Sequence, residues 1–170
     1  MPARGEDRAT ERRGLSKAQA AVPYQSIFIF AIFIAAGVLA WKRGGPPERA
    51  AAVIIASWVV LDSIYHLVFG PSGFDRVDPW HVFLDVTVLG LVVWIALRAN
   101  RVWPLFVAAA QLLSVTGHIA VLLEPDGMRR AYWAMTQLPQ YIQLTALLAG
   151  AWAHARRERL IGPYRSWRVV

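Results

Sequence analysis

Residues 50–69 read AAAVIIASWVVLDSIYHLVF, and this stretch decides the fold class. It is apolar apart from a few side chains, among them Asp62 and His66. About 20 residues is the length at which an α-helix crosses the hydrocarbon core of a bilayer. The stretch therefore predicts a transmembrane helix that carries ionisable residues inside it.

Four further apolar stretches accompany this one, at 24–41, 80–97, 102–123 and 131–153. The chain of 170 residues is 56 % hydrophobic and 17 % charged, whereas soluble domains carry about 25 % charged residues. Five such stretches with so few charges would leave a soluble bundle without a polar outer face. We therefore predict an all-α protein, a polytopic membrane bundle of five transmembrane helices.

Polar breaks between the spans define the domain organisation. Asp78 and Pro79 are typical of an N-cap and first helical residue, and Pro47 suits the first turn of the second helix. Residues 124–127, EPDG, predict a β-turn. Residues 1–22 are polar with mixed charge and predict a disordered tail. Residues 23–153 then form the bundle, and 154–170 form a basic cytoplasmic tail.

The distribution of basic residues predicts the orientation. The loops at 42–49 and 98–101 and the C-terminal tail carry ten Lys and Arg residues, whereas the loops on the other side carry three. Because cytoplasmic loops are rich in Lys and Arg, we expect a bacterial inner-membrane protein with its N-terminus periplasmic and its C-terminus cytoplasmic. Tryptophans at span ends predict an interfacial belt: Trp41, Trp80, Trp103 and Trp152.

The formal net charge of +7 suits a negatively charged partner. Because the chain is so apolar, we expect that partner to be anionic lipid and not nucleic acid. We expect the C-terminal tail to contact anionic headgroups, and His154 at its start to lie among them. The chain has no cysteine, which excludes disulfides and thiolate metal sites. It lacks a nucleophile elbow, a phosphate loop, HExxH and a Rossmann fingerprint. We therefore expect no cofactor and no bound metal.

Ionisable residues within the spans form the candidate site. Asp62 and His66 are four residues apart, as are His81 and Asp85 in mirrored order, so each pair shares a helix face. Because the two helices run antiparallel, the mirrored order places both histidines at one depth and both aspartates deeper. Such residues are costly in lipid and usually face the bundle interior.

The fourth and fifth spans extend this layer. Gln111, Ser114 and His118 form one stripe of the fourth, and Gln137 enters at a similar depth in the fifth. We predict a polar layer in the outer leaflet that comprises Asp62, His66, His81, Asp85, Gln111, His118, Gln137, Gln140 and Tyr141.

Several functions suit such a layer. It can be a hydrogen-bonded structural network, or it can bind a lipid-like small molecule or a membrane protein partner. We favour a non-enzymatic membrane component. The alternatives are a small membrane enzyme with acid–base chemistry on an apolar substrate, a zinc site of His66, His81 and His118 with an aspartate, and haem b between two histidines.

Two parts of the sequence resemble known groups of membrane proteins. Residues 96–127, ALRANRVWPLFVAAAQLLSVTGHIAVLLEPDG, and 131–150, AYWAMTQLPQYIQLTALLAG, resemble a group of small alphaproteobacterial inner-membrane proteins without known activity. Residues 63–70, SIYHLVFG, resemble the histidine-bearing second helix of emopamil-binding, sterol-isomerase-like membrane proteins. That second resemblance implies a small helical bundle with acidic and histidine residues facing a lipid cavity.

The orientation is tested with reporter fusions after Asn100 and after Asp126. We expect cytoplasmic reporter activity at the first site and periplasmic activity at the second, because the basic loops stay in the cytoplasm. The opposite pattern would reverse the assigned orientation.

Overall fold

The computed structural model describes residues 28–70, 77–123 and 129–168. Its helices are α1 (residues 28–43), α2 (Pro46–Phe69), α3 (Pro79–Arg98), α4 (Trp103–Leu123) and α5 (Arg129–Ile161). The chain divides into two compact units after Ile34, and the following description concerns residues 35–170. The predicted tail at 1–22 and the predicted turn at 124–127 lie outside the described residues.

Over the residues that the structure describes, the all-helical fold is confirmed, and three helices are long and apolar enough to cross a membrane: α2, α3 and α4. Only 6 % of the apolar window of α2 is buried, so its hydrophobic side chains face away from the rest of the protein. Exposure of this kind suits lipid rather than water. The structure describes 16 residues of α1. α5 is long enough but carries Gln137, Gln140 and Gln143, and it does not meet the same criterion of apolarity.

The starts of α2 and α3 follow from their sequences. Pro46 occupies the first turn of α2, where a missing N–H costs nothing, and the Glu48 side chain accepts a hydrogen bond from Gly45 N at 3.0 Å. Asp78 caps α3 by accepting a hydrogen bond from Trp80 N at 2.9 Å, with Pro79 as the first helical residue. The predicted N-cap is therefore confirmed.

The helices pack in chain order. α4 has its most extensive contact with α5 and a smaller one with α3, and α2 packs on α3 and also touches α5. The core lies between these helices and includes Val92, Ile95, Val107 and Leu147. α5 has 33 residues, continues through Pro139 and extends past the predicted span to Ile161.

Small residues allow α4 and α5 to approach closely. A Cβ atom added to Gly117 would lie 3.0 Å from Cβ of Met135, and one added to Gly150 would lie 2.5 Å from Cδ1 of Trp103. Trp103 is buried, and its indole donates a hydrogen bond to Glu48 Oε1 at 2.8 Å. The expectation that Trp103 belongs to an interfacial belt is therefore wrong.

We expect Gly150→Ala to lower the free energy of unfolding by about 1–3 kcal/mol. The added methyl group would meet an indole ring that its hydrogen bond to Glu48 holds in place. Thermal unfolding in mild detergent measures the effect. Gly90→Ala on α3 is the control, since an added Cβ there meets nothing within 4 Å and alanine favours the helix. An unfolding midpoint of Gly150→Ala at or above that of the wild type would contradict the packing argument.

Candidate functional site

Asp62, His66 and His81 form a compact cluster between α2 and α3, which we call the α2–α3 group. Nε2 of His66 lies 3.2 Å from Nε2 of His81. Nε2 of His81 lies 2.9 Å from Oδ1 of Asp62, and Nε2 of His66 lies 3.7 Å from Oδ2 of the same carboxylate. One donor atom from each side chain therefore points to a common centre.

Outer acceptors orient both imidazoles of this group. Because the carbonyl oxygen of Gly70 can only accept, Nδ1 of His66 donates the hydrogen bond of 2.9 Å between them, and Nε2 of His66 faces His81. Nδ1 of His81 lies 3.6 Å from Oδ2 of Asp78, the residue that caps α3. Each ring is thus turned so that Nε2 faces its partner.

Aromatic rings flank the group, but they do not close it. Tyr65 stacks on Trp80 at 5.5 Å between ring centroids and donates a hydrogen bond to Oδ2 of Asp78 at 2.9 Å. The side chains of Asp62, His66 and His81 are 22 %, 30 % and 21 % exposed. The three side chains are therefore only partly covered by the described residues.

A second cluster, the Asp85 group, lies buried between α2, α3, α4 and α5. Oδ1 of Asp85 accepts a hydrogen bond from Trp58 Nε1 at 3.0 Å, and Oδ2 lies 3.0 Å from Nε2 of His118. Nδ1 of His118 lies 2.9 Å from the Tyr132 hydroxyl. The carboxylate and the imidazole are both buried and both bonded.

Glutamines continue the Asp85 group. Gln111 donates to the backbone carbonyl of Asp85 at 3.1 Å, and Gln143 donates to Oε1 of Gln111 at 2.6 Å. The cavity beside these side chains, which Gln140 also lines, has a volume of about 20 Å³. That is room for about one water molecule, so the group is a nearly sealed network.

The structure thus brings the predicted residues together as two groups. Asp62 joins the two histidines of the α2–α3 group, and Asp85 joins His118 and Gln111 one helical turn farther along α3. Gln137 and Tyr141 are half-buried on α5 and belong to neither group. The expected common layer is therefore resolved into a half-exposed cluster and a buried one.

A third cluster, at the opposite ends of the helices, was not anticipated from the sequence. Glu48 is fully buried and pairs with Arg101, whose Nε lies 3.3 Å from Oε1. Arg101 also donates to the Tyr164 hydroxyl at 2.7 Å and to Ser166 Oγ at 2.9 Å. Counted as loop charges, Glu48 and Arg101 gave no sign of this pairing. The available signal was the position of Glu48 three residues after the N-cap Gly45.

This cluster holds the C-terminal segment against the loop between α3 and α4. Asn100 N donates to the Ser166 carbonyl at 3.0 Å, and Arg168 N donates to the Arg98 carbonyl at 2.8 Å. His154 is buried, with Nδ1 2.9 Å from the Tyr164 hydroxyl. His154 is therefore buried within this cluster and lines a cavity beside it, and is not an exposed surface side chain. Burial, together with the nearby Arg101 guanidinium, lowers the pKa of His154 below its ordinary value.

Neither a protein-family model, nor a curated protein, nor a solved structure matches the chain. The resemblances to an alphaproteobacterial membrane-protein group and to sterol-isomerase-like proteins therefore stay predictions.

We expect His118→Ala to cost about 3–5 kcal/mol of unfolding free energy, because it leaves the buried Asp85 carboxylate without its imidazole partner. His66→Ala serves as the comparison, and at this partly exposed position we expect a loss below about 1 kcal/mol. Thermal or denaturant unfolding in detergent with a chelator present measures both. A loss for His118→Ala no larger than that for His66→Ala would contradict the assignment of the Asp85 group as the structural one.

Proposed function

We propose that this chain is a five-span bacterial inner-membrane protein that binds a divalent transition metal ion of the zinc type through Asp62, His66 and His81. Its C-terminus is cytoplasmic and its N-terminus periplasmic, so that the α2–α3 group lies toward the periplasmic side. The observation that carries the proposal is the convergence of two imidazole nitrogens and a carboxylate oxygen on one centre.

The membrane arrangement is supported by the three apolar helices and by the basic residues. α2, α3 and α4 are long and apolar enough to span a bilayer. α1 and α5 supply the remaining spans, and the polar face of α5 is turned inward, as the buried Gln143 shows. The ends with the larger number of Lys and Arg residues are those that stay in the cytoplasm.

The spacing of the donor atoms suits zinc. Two ligand atoms bound tetrahedrally to Zn²⁺ at about 2.0–2.1 Å lie about 3.3 Å from each other. Nε2 of His81 lies 2.9 Å from Oδ1 of Asp62 and 3.2 Å from Nε2 of His66, both close to that value. The other carboxylate oxygen, Oδ2 of Asp62, lies 3.7 Å from Nε2 of His66. Oδ1 of Asp62 is buried and lies 2.9 Å from Nε2 of His81, so an ion at this place would replace the contact between the carboxylate and the imidazole.

The surroundings of the ligands also suit a metal. Histidine ligands usually donate their other ring N–H to a carbonyl or a carboxylate, which fixes the ring and makes it a better ligand. The Gly70 carbonyl accepts this hydrogen bond from Nδ1 of His66. The Asp78 carboxylate lies 3.6 Å from Nδ1 of His81. With three protein ligands, a tetrahedral ion keeps one position for water or another molecule.

The alternatives suggested by the sequence have less support. Nε2 of His66 and Nε2 of His81 are 3.2 Å apart, too close for a haem plane to lie between them. Among the described residues, the space beside Asp85 is about 20 Å³, too small for a lipid-like ligand or an apolar substrate at that carboxylate. The proposal also departs from our expectation of no metal, which rested on local motifs. Here the ligands come from two helices and form no such motif.

We expect the full-length chain, purified in mild detergent and stripped with a chelator, to bind one Zn²⁺ per molecule. Titration calorimetry gives the affinity, and elemental analysis gives the stoichiometry. His81→Ala should lose stoichiometric binding because it removes one of the three ligands. Asp78→Asn should bind about 10–100-fold more weakly, although asparagine still caps α3.

His154→Gln is the matched control, since it removes a histidine outside the α2–α3 group. It should bind zinc as the wild type does. The proposal is overturned if the wild-type chain binds no zinc, or if His81→Ala binds it with unchanged stoichiometry and affinity.

A further inference from the structure

A basic cavity lies at the end of the molecule opposite to the α2–α3 group. It has a volume of about 370 Å³ and opens between the start of α2, the last turns of α5 and the C-terminal segment. We call it the basic pocket. Its charged and polar lining includes Lys42, Arg43, Arg49, His154, Arg159 and Tyr164.

The charges around the basic pocket favour an anion. Four cationic side chains line it, against one carboxylate, that of Glu158. Glu48 does not neutralise them, because it is buried and already paired with Arg101. Gly45 and Pro46, at the start of α2, also form part of the wall, and a helix N-terminus carries a partial positive charge.

His154 supplies a directed hydrogen-bond donor. The Tyr164 hydroxyl accepts from Arg101, so its one hydrogen is free to be donated to Nδ1 of His154. Burial and the Arg101 guanidinium lower the pKa of His154. With Nδ1 accepting from the Tyr164 hydroxyl, the hydrogen of the neutral ring is on Nε2. A Cβ atom added to Gly45, in the pocket wall, would lie 3.0 Å from that nitrogen. The buried imidazole N–H is therefore directed to the pocket.

Aromatic side chains place this pocket at the level of lipid headgroups. Trp41 and Trp152 are exposed at the same end of the molecule, as expected for tryptophans at a membrane interface. Arg49, from the pocket lining, lies over the Trp41 ring at 5.9 Å, and Arg156 lies over Trp152 at 5.5 Å. A phosphate group at this depth is most readily supplied by the lipid itself.

We propose that the basic pocket binds the phosphate-bearing headgroup of an anionic phospholipid in the leaflet on the C-terminal side. Arg49, Arg159 and the Lys42–Arg43 pair provide the charge, and His154 Nε2–H provides a neutral donor. Binding here is independent of the zinc site, which lies at the other end of the helices, so the two proposals can fail separately.

The test uses the full-length protein in detergent micelles and native mass spectrometry, with phosphatidylglycerol and phosphatidylcholine as the probes. We expect phosphatidylglycerol to bind at least about tenfold more tightly. Each Lys or Arg near an anionic lipid contributes about a fivefold change in affinity. Arg49→Gln combined with Arg159→Gln should therefore weaken phosphatidylglycerol binding by about 25-fold.

The matched control is Arg98→Gln combined with Arg156→Gln, which removes the same charge from the same end but not from the pocket lining. It should change the affinity by less than about fivefold. The proposal is overturned if the control pair weakens binding as much as the pocket pair, or if phosphatidylcholine binds equally well. It is also overturned if inorganic phosphate displaces the lipid at an equal concentration, because the pocket would then prefer a soluble anion.

Discussion

The carboxylate of Asp85 lies among apolar helices, where it must be satisfied by the protein itself. Its two oxygens meet Trp58 of α2 and His118 of α4. His118 in turn contacts Tyr132 of α5. One ionisable side chain thus sets the rotation of four helices about their axes. A helix turned by a single residue would leave a buried polar group without its partner, at a cost of several kcal/mol.

Asp62 and Asp85 therefore have different roles, although each lies four residues from a histidine on an apolar helix. Asp85 is buried and its oxygens are bonded by neighbouring helices, so little of its chemistry remains available. Asp62 lies with two half-exposed imidazoles, and all three donor atoms face one centre. Burial makes the first group a structural element, whereas incomplete burial leaves the second able to hold an ion.

At the opposite end of the helices, the Glu48–Arg101 pair also joins separate segments of the chain. Both charges are removed from water, and such a pair is tolerated only when further hydrogen bonds satisfy the remaining atoms. Gly45, Trp103, Tyr164 and Ser166 provide them. In this way the pair joins the start of α2, the start of α4 and the C-terminal segment. Lys42, Arg43, Arg49 and Arg159, at the same end of the protein, line the basic pocket.

The sequence by itself determined the all-helical fold and the capped start of α3, and of the five spans that it predicted, three are described helices long and apolar enough to cross a membrane. These depend on composition, length and local hydrogen bonding, which are properties of neighbouring residues. It also identified Asp62, His66, His81, Asp85, Gln111 and His118 as polar residues facing inward.

Only the tertiary structure decided how they pair. Asp62 and Asp85 are each four residues from a histidine, and helix periodicity places both pairs on a shared face. Which imidazole reaches which carboxylate depends on the rotation and tilt of the helices. The burial of Glu48, Arg101, Trp103 and His154 was decided in the same way, because these residues meet only when distant segments of the chain come together.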